Sequence, residues 1–85
     1  MIEVVEIEGD VFYFKDGLLH RDGYPAIEFK SGDEWWIDNG MIHRENGPAI
    51  IHRKDVEYWV NDHRASKEEK KNIKRNYWID KYEEL

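Results

Sequence analysis

Two short pairs carry the clearest capacity for chemistry, His20-Arg21 and His43-Arg44. An imidazole can move a proton near neutral pH, and a guanidinium beside it can hold phosphate oxygens. Such a pair would suit a small enzyme acting on phosphodiesters or nucleotides. Yet the second pair follows the first by 23 positions. A residue that returns with every repeat normally serves the scaffold, whereas an active site is singular. His20 and His43 are therefore read first as a ladder beside Tyr13 and Trp36, bonded to neighbouring backbone. Arg21 and Arg44 are expected to pair with acids or to stack on Phe12 and Trp35.

Other chemistry finds less support. His20, His43, His52 and His63 lack the close spacing of a zinc site, and there is no cysteine. Ser31 falls in a turn and Ser66 at a helix start, so no nucleophile–base arrangement is expected. Gly9, Gly17, Gly32 and Gly40 read as turn glycines rather than a phosphate loop. The expectation is no catalytic residue, no metal and no cofactor.

The elements that hold these residues follow from the repeat itself. Asp16-Gly17 returns as Asn39-Gly40, Pro25-Ala26-Ile27 as Pro48-Ala49-Ile50, and Tyr13 as Trp36 and then Trp59. Fixed-period self-similarity means stacked supersecondary units. Asp-Gly and Asn-Gly between strand-like runs are hairpin turns, so Val11–Lys15 should pair with Leu18–Arg21, and Glu34–Asp38 with Met41–Arg44. Gly9-Asp10, Ser31-Gly32-Asp33 and Lys54-Asp55 mark the remaining turns. The Ser31–Asp33 turn admits a two- or a three-residue loop, and each sets a different register. Pro25 and Pro48 should start strands or sit at bulges. About eight short strands in an antiparallel meander are expected.

Period-two alternation then sorts the side chains. Phe12, Phe14, Leu19, Trp35, Ile37, Ile42, Tyr58 and Val60 form the expected core face. Tyr13, Trp36 and Trp59 form an aromatic stripe on the other, with His20 and His43, flanked by Glu34, Asp38 and Glu57. An exposed aromatic patch of this kind marks a binding surface, unless the helix or a second copy covers it.

The repeats end near Arg64. Ser66-Lys67-Glu68-Glu69 is a capping box, and a helix should run from about Lys67 to Tyr82. Its first half carries Lys67, Lys70, Lys71, Lys74 and Arg75 within about 140° of arc. That face could track nucleic acid or an acidic protein, or balance the acidic sheet in solvent. Its second half, with Tyr77, Trp78, Ile79, Tyr82 and Leu85, should dock on the sheet and close its open end. The expected fold is mainly β with a C-terminal α-helix: one domain over residues 1–85, with hairpin repeats over 1–64 and a capping helix over 66–85.

Charge bounds the partners. The net charge is −6, and residues 1–65 hold 14 Asp and Glu against 7 Lys and Arg. That region should repel nucleic-acid phosphates and favour basic surfaces. The acidic start, Met1 to Glu6, does not read as a signal peptide, and no apolar run approaches the roughly 20 residues that span a bilayer. A cytoplasmic location without membrane contact is expected.

The string Asn39-Gly40-Met41-Ile42-His43-Arg44-Glu45-Asn46-Gly47-Pro48-Ala49-Ile50 resembles the repeat of small bacteriophage-encoded proteins. Those carry tandem Asn-Gly-Lys-x-His-Arg-x-x-Gly-Pro-Ala units and look like variants of the MORN repeat. Tyr58 to Arg64, followed by Ser66-Lys67-Glu68-Glu69, resembles their finish, a last strand leading into a capped helix. The first unit departs, since Asp22-Gly23-Tyr24-Pro25 places Gly one position early. The last has Asp62-His63 where Asn-Gly would stand. The resemblance implies a hairpin-repeat fold and a phage origin, and it transfers no catalytic residue. The function these readings favour is a non-enzymatic module that binds a host protein or protein complex, such as a CRISPR effector, and inhibits it stoichiometrically. The alternatives are the His-Arg enzyme and nucleic-acid binding through the basic helix.

Overall fold

The computed structural model describes residues 1–82; Leu85, assigned above to the docking face of the helix, lies outside them. Eleven strands precede the helix among the described residues: β1 (Ile2–Ile7), β2 (Asp10–Lys15), β3 (Leu18–Leu19), β4 (Ile27–Glu28), β5 (Glu34–Trp35), β6 (Ile37–Asp38), β7 (Met41–Ile42), β8 (Ile50–His52), β9 (Asp55–Glu57), β10 (Trp59–Val60) and β11 (His63–Arg64), then α1 (Lys67–Tyr82). The fold is mainly antiparallel β with one C-terminal helix, as the repeat implies. The main sheet runs β1-β2-β4-β5-β8-β9, with β3 also on β2, while β6-β7 and β10-β11 form separate hairpins.

Two of the strands beyond the expected eight arise where a long strand changes partner and breaks, at Trp36 between β5 and β6 and at Tyr58 between β9 and β10. Trp35 pairs with Ile50 and Ile27 on either side, whereas Ile37 pairs with Ile42 across the hairpin turn. The hairpin return is correspondingly short. Leu18 and Leu19 pair with Lys15 and Phe14, a last bond joins His20 N–H to the Tyr13 carbonyl, and the chain leaves the ladder.

The turns behave as their residues require. Asp16-Gly17 and Asn39-Gly40 both take positive φ at both central positions, 50° and 80° in the first and 47° and 83° in the second. Short polar side chains and glycine adopt that region at least cost. Pro25 and Pro48 each lie two residues ahead of a strand, β4 and β8.

The third unit departs from the 23-residue period, and the cause is a loop. Phe29 N–H bonds the Asp33 carbonyl, leaving a three-residue loop at Lys30-Ser31-Gly32. The next loop has only two residues, Arg53-Lys54, because His52 pairs directly with Asp55. The following hairpin therefore arrives one residue early. Its turn is Asn61-Asp62, with φ of 45° and 70°, and not Asp62-His63. Ala65 N–H bonds the Tyr58 carbonyl just as His43 N–H bonds that of Trp36 and His20 N–H that of Tyr13. The structural counterpart of Tyr13 and Trp36 is thus Tyr58. A one-residue shift moves every side chain of a strand to the other face.

The core is small. Ala26, Ile27, Ile37, Ala49, Ile50 and Ile73 are its buried apolar residues, and Phe12, Leu19, Phe29, Trp35 and Ile42 pack around the first three. The expected core face holds for Phe12, Leu19, Trp35, Ile37 and Ile42 and fails for Tyr58 and Val60, which the shift turns outward from it. The helix starts as the capping box dictates: Ser66 Oγ accepts from Glu69 N–H at 3.1 Å, and Glu69 Oε1 accepts from Ser66 N–H at 2.8 Å. The Ser66 backbone N–H above all, with smaller contributions from the Ser66 hydroxyl and His63, holds the Glu69 carboxyl below its ordinary range.

Candidate functional site

The His-Arg pairs bind one repeat to the next. His20 Nδ1 accepts from the backbone N–H of Asn39, at the tip of the following hairpin, at 2.9 Å. His43 Nδ1 does the same for Asn61 at 3.0 Å. In each case a second bond runs alongside, Gly40 N–H to the Leu19 carbonyl and Asp62 N–H to the Ile42 carbonyl. The other ring nitrogen faces a carboxylate two residues on, Asp22 at 3.0 Å or Glu45 at 3.4 Å. An imidazole whose Nδ1 accepts a backbone N–H carries its proton on Nε2, where it donates to that carboxylate. His20 is buried, 4 % exposed. Both histidines are thus occupied on both nitrogens.

The arginines are occupied as well. Arg21 lies 3.8 Å from the Tyr13 ring centroid and Arg44 lies 3.5 Å from that of Trp36. They do not stack on Phe12 and Trp35, because the aromatic neighbour on the arginine's face is the next residue along each strand. Arg21 donates to the Pro25 carbonyl at 3.3 Å and Arg44 to that of Pro48 at 3.1 Å, which ties each proline loop back to its hairpin. Arg21 also meets Glu28 at 3.3 Å, as expected of a cation beside an acidic strand. Burial pulls the Arg44 guanidinium below its ordinary value, against the opposing pull of Glu34, Tyr77 and Tyr58.

The aromatic stripe is divided. Tyr13 and Trp36 share a face, and Tyr58 completes it. Trp59 lies on the opposite face, its Nε1 donating to Glu57 Oε1 at 3.0 Å. Glu57 also meets His52 and Arg64 at 3.0 Å each, so Trp59 and Glu57 belong to an ion-paired patch away from Trp36. Hydrogen bonds from Trp59, then His52, lower the Glu57 carboxyl, and the bond to Glu57 raises the His52 imidazole. Glu34 remains beside Trp36, and Asp38 stands 3.2 Å from His20 Nδ1 while accepting from the Asn39 amide. The residues proposed from sequence as one surface therefore fall into two groups. Tyr13, Trp36, Glu34 and Asp38 stand on one side, with Trp59 and Glu57 on the other.

The helix covers the Trp36–Tyr58 side, though not with the expected residues. Ile73 is its buried side chain. Asn76 donates to the Glu45 carbonyl at 3.0 Å, and Asp80 accepts from Asn46 at 2.7 Å. At 100° per residue, Trp78 and Tyr82 stand about 140° and 180° around the helix from Ile73, so a helix seated on Ile73 turns them outward. They are 52 % and 48 % exposed, stacked face to face at 5.3 Å between centroids. Tyr77 and Ile79 are also exposed. Three consecutive large apolar residues, Tyr77-Trp78-Ile79, cannot all face one way, and that signal was present in the sequence.

Between this helix and the sheet runs an apolar groove of about 630 Å³, walled by Trp36, Ile51, Val56 and Tyr58 on one side and by Tyr77 and Trp78 on the other. Lys74 and Arg44 bring positive charge to it. The basic residues Lys67, Lys70, Lys71, Lys74 and Arg75 of the helix are all exposed, and Lys70 and Lys74 also lean over Tyr58, with Nζ 5.7 and 5.6 Å from its ring centroid.

No family model, curated protein or solved structure matches the chain. Among the described residues no group of three or more His, Cys, Asp or Glu side chains is placed to hold a metal ion, and no helix is long and apolar enough to cross a membrane.

Proposed function

We propose that the protein is a non-enzymatic module that binds a protein partner through its aromatic helix face and the groove beside it. The observation that carries this reading is the exposed Trp78–Tyr82 stack, continuous with Tyr77 and a groove floored by Trp36 and Tyr58. Trp, Tyr and Arg are the side chains that anchor protein interfaces, and a small domain does not leave such a cluster in water without loss. The capping box and the Ile73 seat make the helix a rigid platform, which a stoichiometric binder needs. The resemblance to phage-encoded repeat proteins supports a phage accessory role in the host cytoplasm, blocking a host complex such as a CRISPR effector. The occupation of His20, His43, Arg21 and Arg44 by scaffold bonds argues against the phosphodiester reading.

The test is phage plaquing on bacteria with active CRISPR interference, with and without the protein, followed by co-purification with the effector. The expected result is restored plaquing and a stoichiometric complex, both lost in a folded Trp78→Ala/Tyr82→Ala variant. Unchanged plaquing across a panel of defence systems, or full inhibition by the double variant, would overturn the proposal.

A further inference from the structure

The sheet has an open edge at β1. This strand pairs with β2 alone among the described residues, and all six of its residues are exposed. The direction of its free backbone groups can be fixed from β2. Tyr13, the partner of Val4, sends its N–H to the Ala26 carbonyl at 2.8 Å and receives the His20 N–H on its own carbonyl at 3.0 Å. Both main-chain groups of Tyr13 therefore point away from β1, and Val4–Tyr13 is a non-hydrogen-bonded pair. Val4 in turn points its N–H and C=O outward, as do Ile2 and Glu6 two residues either way. Three donors and three acceptors line this edge in ladder geometry.

The side chains along the edge are of two kinds. Ile2, Val4, Val5 and Ile7 are exposed apolar residues, Val4 by 59 %. Glu3 and Glu6 lie between them and Glu8 follows in the turn, with no Lys or Arg in the strand. Proteins usually blunt such an edge with lysine, proline or a bulge, and β1 carries none of these. A second copy is a poor complement. Pairing β1 with another β1 brings the glutamates of both copies to the seam with no cation between them. The sheet's other edge, β9, carries Asp55 and Glu57. Like charges across a strand pair are destabilising.

We infer that β1 accepts an extended segment of another protein as an added antiparallel strand, one with Lys or Arg opposite Glu3 and Glu6 and small β-branched residues opposite Val4, Val5 and Ile7. Backbone bonds would supply affinity and the charges would set register. This surface is separate from the aromatic helix face. Failure here leaves that reading intact, and the converse also holds.

The probe is the blocked peptide Val-Lys-Val-Thr-Lys-Val, with Val-Glu-Val-Thr-Glu-Val as control, followed by amide exchange and binding at low salt. The lysine peptide should slow exchange of the Val4 and Glu6 amides and bind about tenfold or more tightly than the control. Val4→Pro should abolish binding and spare the fold, because the Val4 N–H takes no part in the β1–β2 ladder. Glu3→Lys/Glu6→Lys should reverse the peptide preference, a readout that survives if the proline variant does not fold. Equal binding of both peptides, or no protection by the lysine peptide, would overturn the inference. So would a dimer in sedimentation whose Val4 and Glu6 amides are already protected without peptide, since the occupant would then be a second copy.

Discussion

Replacing His20 tests whether the recurring histidines hold the repeats together. In His20→Ala, the Asn39 N–H loses its acceptor at 2.9 Å and Asp22 loses its donor at 3.0 Å. A hydrogen bond lost at a part-buried site costs about 0.5–1.5 kcal/mol, and the emptied imidazole volume adds about 1 kcal/mol. A total near 2 kcal/mol is large for a chain of this length, whose whole stability should be roughly 4–13 kcal/mol. The melting temperature should fall by about 8–16 °C. His43→Ala should cost about half as much, because the His43 side chain is 14 % exposed and its carboxylate partner stands at 3.4 Å. The decisive comparison is between two polar replacements. Asparagine places an oxygen where Nδ1 stands and can still accept from Asn39, while glutamine places its polar atoms nearer the Nε2 position. Urea denaturation with amide exchange at Asn39 should show His20→Asn retaining protection and His20→Gln losing it. Equal behaviour of the two, a cost below about 0.5 kcal/mol for His20→Ala, or a protected Asn39 in that variant would refute the ladder.

Three further outcomes follow from the same geometry. Tyr58→Ala should speed amide exchange throughout α1 and cost about 2 kcal/mol, whereas Trp59→Ala should leave the helix amides unchanged; the reverse pattern would refute the 22-residue step of the third unit. Gly47→Ala would bring a methyl within 2.6 Å of Arg44 Cζ, a group pinned by the Pro48 carbonyl and Trp36. It should destabilise by about 1–3 kcal/mol, and urea titration should find that cost absent when Arg44 is already alanine. For pH, His52 is raised above the ordinary 6.5 by its bond to Glu57, so its contribution is fully present below 6.5 and lost as pH rises through the folded value. Glu57 is lowered from 4.5, first by Trp59 and then by His52, so its contribution is present above 4.5 and lost as pH falls through its folded value. The urea midpoint should therefore be highest between these limits and decline on the alkaline side in the wild type, with the decline absent in His52→Ala.

Residue type at a few positions was enough to read most of the fold. Asp16-Gly17 and Asn39-Gly40 specify hairpins because both turn positions need positive φ. Ser66 and Glu69 specify a helix start because each satisfies the other's free N–H. The periodicity of His20 and His43 marked them as scaffold, and the structure supplies the backbone partners that make them so. What the period could not carry was register. A loop of three residues at Lys30-Ser31-Gly32 and of two at Arg53-Lys54 look alike as turn chemistry, yet they differ by one residue. That residue decides whether Tyr58 or Trp59 stands beside Trp36, because strand side chains alternate with period two.

The helix shows the same division. Its start, length and apolar content are local properties and were legible. Which arc meets the sheet was decided by the burial of Ile73 and by the bonds of Asn76 and Asp80 to the Glu45–Asn46 loop, between segments more than thirty residues apart. By itself the sequence determined the hairpins, the capped helix and the acid-rich strands, since turn dihedrals, cap bonds and charge are set by residues a few positions apart. Only the tertiary structure decided the face of Trp59, the exposure of Trp78 and Tyr82, and the open edge of β1, because those depend on which distant backbone groups pair and which remain free.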